Sequence, residues 1–155
     1  MIPEFKFVLN EGLGPEFLPT KAHLTDTGFD VRAADSVTLW PFETAMIDLG
    51  FRCFAPAGWW CKLVPRSSTF AKKNLHCLYG VIDESYQNSW RFACQYIPPR
   101  SNTSPLTISF GEAIGQIIPV KRQEMAVSQV SNEEFDKLCA ERKGSRGTGG
   151  FGSSG

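Results

Sequence analysis

Histidine is scarce, close cysteine pairs are absent and no apolar run is long, and each shortage closes off a class of function. The only histidines are His23 and His76, and no C-x-x-C occurs. Neither a zinc finger nor the H-x-E with P-C-x-x-C arrangement of zinc deaminases can be assembled, so a metal held directly by soft ligands is not expected. Cys53, Cys61, Cys77, Cys94 and Cys139 are odd in number and scattered. They do not form a disulfide framework, and a reducing cytoplasm is the simpler reading. No apolar stretch approaches the ~20 residues of a membrane-crossing helix. The opening MIPEFKFVLN also lacks the basic-then-apolar order of a secretory signal. Charge of one sign is missing too: 16 basic and 16 acidic side chains cancel. Nothing draws the whole chain toward nucleic acid or an anionic membrane, and any basic site has to be local.

What is present is punctuation. Ten prolines and 14 glycines divide 155 residues into short apolar or alternating runs. That is the rhythm of an all-β domain, long enough for one core and too short for two. Strands are predicted over 5–9, 44–48, 51–54, 59–64, 77–82, 90–97, 106–110 and 114–120, with hairpins joining several of them. The period is plainest in the sixth, where Trp90, Phe92, Cys94 and Tyr96 share one face and Arg91, Ala93 and Gln95 the other. A single short helix is predicted near 131–143, where Ser131 precedes Glu134 in a capping-box arrangement and Phe135 and Leu138 form an i, i+3 apolar pair. This one-domain body runs over 1–143. Residues 144–155 differ, since six of these twelve are glycine. They make an arm that cannot offset its own ordering entropy.

The arm's R-G-T-G-G-F-G-S-S-G, Arg146 to Gly155, combines a guanidinium, bare backbone N–H groups and two hydroxyls, as a polyphosphate clamp requires. Phe151 has no core to enter, which favours stacking on a planar ligand. A plain flexible tail is the alternative. Pro65-Arg66-Ser67-Ser68 follows a strand and could offer a guanidinium and hydroxyls to anionic oxygens, although most such triplets are solvated loops. Gly80-Val81-Ile82-Asp83 ends an apolar strand on a carboxylate, with Tyr86 in the turn beyond. Asp83 reads as a general base for water or, equally, as an ordinary turn aspartate. Thr25 to Asp30 and Gly111 to Gln116 complete the set, and each reads as a turn when taken alone.

In content and order these five segments resemble the trimeric dUTP diphosphatase (dUTPase) family across residues 20–155. Thr27-Gly28-Phe29-Asp30-Val31, Pro65 to Ser68, Gly80 to Tyr86, Gly111 to Ile117 and Arg146 to Gly155 correspond to the family's five motifs. The third and fifth are the specific ones. Where many members carry Asn three residues before the third motif's glycine, this chain has Cys77, preceded by His76.

The resemblance implies a distorted β jelly-roll forming a homotrimer, each site built at a subunit interface with the arm supplied across it. It implies hydrolysis of dUTP to dUMP and diphosphate by attack of water on the α-phosphorus, with magnesium on the triphosphate. This limits uracil incorporation into DNA and supplies dUMP for dTMP synthesis. Asp83 would then activate the water, and Tyr86 would exclude a 2′-hydroxyl. Gly80, Val81 and Ile82 would read the uracil edge through backbone groups. Ser67 would act near the α,β-bridging oxygen, with Arg66, Ser68 and Gln116 supporting the phosphates. Arg146, Ser153 and Ser154 would hold the γ-phosphate, Phe151 would cover the base, and Gly152 would be a further substrate-binding residue. Asp30 would act on Mg2+ through coordinated water. For Gly28 and Gly115, tight turns or close strand approach explain the glycines whether or not they touch ligand. Two rival readings share the fold: a dCTP deaminase, which the full fifth motif disfavours, and a nucleotide-responsive regulatory binding protein.

Overall fold

The computed structural model describes residues 1–144 and 146–152. Contacts divide the chain into two compact units, 1–122 and 123 onward. No helix among the described residues is long and apolar enough to cross a membrane.

The first unit is an all-β body of the jelly-roll type. Its strands are β1 (Lys6–Leu9), β2 (Phe29–Arg32), β3 (Val37–Leu39), β4 (Thr44–Asp48), β5 (Phe51–Phe54), β6 (Trp59–Pro65), β7 (Leu75–Cys77), β8 (Gly80–Ile82), β9 (Arg91–Tyr96), β10 (Leu106–Ile108) and β11 (Ala113–Lys121). A five-residue helix, α1 (Ser67–Ala71), follows β6, and a 3-10 turn spans Pro15–Phe17. The strands form a four-stranded sheet β2-β11-β6-β8, a three-stranded sheet β4-β9-β7 and the pairs β1-β5 and β10-β3, all antiparallel.

The predicted alternation holds where it is plainest. Trp90, Phe92, Cys94 and Tyr96 are buried, and the intervening residues of β9 are not. With Val31, Ile47, Leu49, Phe51, Ile108 and Ile114 they form one core. The ring of Phe7 meets Phe51 edge-on at 5.2 Å, and Phe51 meets Trp90 at 5.3 Å, so β1 closes that side of the core with aromatic contacts.

Two expectations need correction. Hairpins do not join consecutive strands, for every paired strand has its partner elsewhere in the sequence. The Gly, Pro and Asn signals between runs mark corners where the chain crosses from one sheet to another, and local turn chemistry cannot distinguish the two uses. Nor is 77–82 one strand. Its first part pairs with β9 and its second with β6, and the chain changes sheets at Leu78 and Tyr79, both exposed. The apolar run that suggested one strand is two half-buried edges in succession. The sequence reading also missed β2, β3 and α1, which are four, three and five residues long.

The second unit contains α2 (Asn132–Glu141), where the helix was expected. Ser131 is its N-cap, the hydroxyl accepting from the Glu134 N–H at 3.1 Å. Phe135 and Leu138 are exposed. Beyond it the chain bends through left-handed residues at Gly144, Gly147, Phe151 and Gly152. Phe151 is fully exposed.

Candidate active site

Five of the sequence-predicted residues converge at one end of the four-stranded sheet. Gln116 on β11 stands opposite Val64 of β6 and Asp30 of β2, so one row across three strands carries the amide and the carboxylate. Arg66, at the turn out of β6, places Nε 3.1 Å from Oδ1 of Asp30. Its Nη1 lies 3.5 Å from the Ala113 carbonyl, at the limit of a hydrogen bond. Gln116 donates its amide to the Pro65 carbonyl at 3.0 Å, which fixes the side chain beside the same turn.

Two glycines permit this approach. A Cβ on Gly28 would collide with Oε1 of Gln116 and lie 2.8 Å from its Cδ. A Cβ on Gly115 would lie 3.0 Å from the Phe92 ring and 3.2 Å from the Val64 carbonyl. Both positions are close approaches rather than positive-φ turns.

Ser67 and Ser68 open α1, Ser67 exposed and Ser68 half-buried. The helix is held from below by Thr69, which is fully buried and donates its hydroxyl to the Ile114 carbonyl at 2.7 Å. Sequence reasoning did not single out Thr69. A threonine after two serines in a turn carries no signal of burial, and its partner lies 45 positions away. Lys73 pairs with Glu112 on the far side of α1, tying the fourth motif to the end of the helix.

The remaining first-unit residues sit elsewhere. Gly80, Val81 and Ile82 form β8, opposite Leu63, Lys62 and Cys61 of β6. Asp83 follows, exposed, and no side-chain partner meets its carboxylate among the described residues. The Tyr86 N–H donates to the Asp83 carbonyl at 3.1 Å, closing the turn, and the Tyr86 hydroxyl donates to the Ser89 carbonyl at 3.2 Å. Ile82 opposes Cys61, five positions before Arg66. At about 3.3 Å per residue, Cys61 and Arg66 are ~17 Å apart along β6, and Asp83 follows Ile82 at the Cys61 end. The structure therefore splits the predicted first-unit residues into two half-sites.

Two surface cavities lie outside both half-sites. One, of 460 Å³, lies over Met46, His76 and Leu78 on the three-stranded sheet. The other, of 530 Å³, is lined by Phe5, Phe29, Trp59 and Ile117 among others. Neither is lined by Arg66, Ser67, Asp83, Tyr86 or Gln116. Cys77 shares the half-buried side of β7 with Leu75, and its Sγ lies 3.6 Å from the Leu75 carbonyl. Burial pushes its thiol up to about 12, with repulsion from Cys94 adding to the effect.

Of the arm residues, Arg146, Phe151 and Gly152 belong to the second unit, whereas Ser153 and Ser154 lie outside the described residues.

Asp30 is the one acid beside the Arg66 cluster assigned to a metal. No group of three or more His, Cys, Asp or Glu that could cage an ion occurs among the described residues. A Mg2+ that keeps most of its waters and takes its other oxygens from phosphates requires no such cage. Asp30 fits that role: one carboxylate oxygen meets Arg66, the side chain is partly exposed, and no partner of the second oxygen occurs among the described residues.

Fold and donor set define the class: a jelly-roll protein that gathers a guanidinium, hydroxyls and an amide at one end of a strand and a bare carboxylate at the other. The sequence pattern of dUTPases matches residues 16–155. The chain belongs to the dUTPase family. It is 37% identical to the deoxyuridine 5'-triphosphate nucleotidohydrolase of Hahella chejuensis over 96% of this chain and 93% of that protein. It is 36% identical to that of Pseudomonas entomophila, covering 96% and 94% of the two chains. Among solved structures, a variant of the Staphylococcus bacteriophage 80alpha dUTPase with dUpNHpp is 26% identical. It superposes with a TM-score of 0.79 over 98% of each chain. A variant of the dUTPase from phage phi11 of S. aureus, in which a structural Mg(II) ion is coordinated, shares the fold. Its TM-score is 0.70 at 23% identity, over 82% of this chain and 96% of that one.

Proposed function

We propose that the protein hydrolyses dUTP to dUMP and diphosphate in sites shared between copies of the chain, three to an assembly. The observation that carries this reading is Asp83: an exposed carboxylate without a side-chain partner, delivered by a strand whose backbone continues into the turn closed by Tyr86.

A general base must come within ~3 Å of the water it deprotonates, and Ser67 is assigned to the same reacting phosphate. Asp83 at the Cys61 end of β6 and Ser67 beyond Arg66, ~17 Å along the strand, are poorly placed to serve one phosphorus atom from a single protomer. The separation supports a site in which one protomer gives Gly80 to Tyr86 and a neighbour gives Asp30, Arg66, Ser67, Ser68 and Gln116.

Within such a site the chemistry divides by residue. Asp83 takes a proton from water as the oxygen attacks the α-phosphorus. Arg66 and the Ser67 hydroxyl face the oxygens on which charge accumulates as diphosphate leaves, and Gln116 donates beside them. Backbone groups of Gly80, Val81 and Ile82 present fixed donors and acceptors to the base edge. Cytosine, with its donor and acceptor reversed, would leave these groups unpaired. Tyr86 lies against the sugar. Arg146, Gly152, Ser153 and Ser154 grip the terminal phosphate, and Phe151 covers the ring, so that closure of the arm excludes water. Asp30 would hold a water of Mg2+, whose chemistry, when bound with the triphosphate, would be to neutralise phosphate charge.

The test is diphosphate release from dUTP, dTTP, dCTP, dATP, dGTP and UTP with Mg2+, together with ammonia release from dCTP. Rapid turnover of dUTP alone is expected, and Asp83→Asn should lower kcat by about 10²–10⁴-fold. Deletion of residues 145–155 should abolish turnover while leaving a folded trimer by light scattering. Full activity in the truncated protein would overturn the role of the arm, and ammonia from dCTP would favour the deaminase.

A further inference from the structure

Asp83 has no side-chain partner among the described residues, so its carboxylate is placed by backbone alone. β8 fixes the residue before it, and the bond from Tyr86 closes the turn after it. Within the turn, the side chains of Tyr86 and Asn88 bond to Ser89. Glu84 is different, because its carboxylate reaches out of the turn to two other parts of the body. Its Oε2 accepts the Gly58 N–H at 2.9 Å and pairs with Arg122 Nη1. Arg122 in turn donates its backbone N–H to the Gly58 carbonyl at 2.7 Å. Gly58, left-handed at φ 81°, thus presents N–H and carbonyl to two partners that also bind each other. The three residues form a closed ring joining the turn before β6, the end of β11 and the turn after β8.

We propose that Glu84 is a positioning residue: through Gly58 and Arg122 it sets the place of the Asp83 carboxylate without touching substrate itself. The inference rests on the reading of Asp83 as the base. The Glu84 and Arg122 side chains are 30% and 52% exposed. Screening then leaves the pair little weight in overall stability. Its effect on geometry is larger, because misplacing a catalytic group by about 1 Å can cost ~100-fold in rate. A residue that supported only the fold would move the melting temperature and not kcat.

Glu84→Gln and Arg122→Met in the full chain, assayed on dUTP, separate these possibilities. Each is expected to lower kcat by about tenfold or more with KM near the parent value and the thermal midpoint little changed. The double variant should be no worse than the single ones, since both break the same ring. Arg122→Lys, which keeps the charge, should recover most of the loss in Arg122→Met. Parental kcat in both single variants, a change confined to KM, or losses that multiply in the double variant would overturn the proposal. Asp83→Asn is measured in parallel. If it stays fully active the base assignment fails, and if it is inactive while Glu84→Gln and Arg122→Met match the parent, only the role of Glu84 fails.

Discussion

Arg66 Nε stands 3.1 Å from Asp30 Oδ1, so in the absence of ligand the guanidinium assigned to phosphate is held by the carboxylate assigned to magnesium. Phosphate binding has to compete with that pair. Asp30→Asn therefore frees Arg66 for anions while removing the acceptor for a metal-bound water. Both groups are partly exposed, and such pairs contribute ~0.2–1 kcal/mol, so diphosphate alone should bind up to about fivefold more tightly by calorimetry. The Mg2+ concentration giving half-maximal turnover should rise at the same time. If both quantities stay at the parent value, the pair serves only the fold.

Gly28 and Gly115 should respond differently to alanine. At Gly28 the collision falls mainly on the side chain of Gln116, which can swing away and give up its bond to Pro65. Gly28→Ala should fold but raise KM for dUTP. At Gly115 the new methyl meets the buried Phe92 ring and a backbone carbonyl. Overpacking of that kind costs ~1–3 kcal/mol, and chemical denaturation should show it as a lower midpoint.

Thr69→Val keeps the volume and removes the hydroxyl that meets Ile114, leaving a buried carbonyl without its donor. The expected loss is ~1–3 kcal/mol, whereas Thr69→Ser should retain most of the bond. Because α1 also carries Ser67, the valine variant should lose kcat/KM beyond what its folded fraction explains.

Four thiols are protected and one is not. Burial raises Cys53 and Cys94 to about 11 and Cys61 and Cys77 to about 12, from 9.0, while Cys139 is exposed. Native protein titrated with a thiol reagent at neutral pH should therefore show one fast-reacting group per chain, and denatured protein five. A raised folded value means that the unfolded chain loses these protons first. Their contribution to stability is whole below pH 9.0 and is lost as pH climbs toward about 12. Melting temperatures measured from pH 8 upward should fall across that window.

Much of the body was legible because the strand signal is carried by side chains in a strict two-residue period. β4 and β5 coincide with their predicted spans, and the core face of β9 follows from its alternation. The five motifs were legible as chemistry, since Arg, Ser, Asp and Gly each contribute a donor, a base or a bare backbone. Pairing was not legible. Nothing in the residues of β11 announces that it lies between β2 and β6, and the register that parts Asp83 from Arg66 is a property of that pairing. Glu84 was hidden for the same reason, its partners being 26 and 38 positions away.

The place of β11 bears on how the molecule is made. It is the last of the described strands to leave the ribosome and it sits between two of the earlier ones, so the four-stranded sheet cannot assemble before it emerges. With contacts this distant in sequence, folding belongs to the slow, millisecond-to-second regime. Until residue 121 has emerged, the nascent protein carries open strand edges that invite capture by chaperones or by its own siblings.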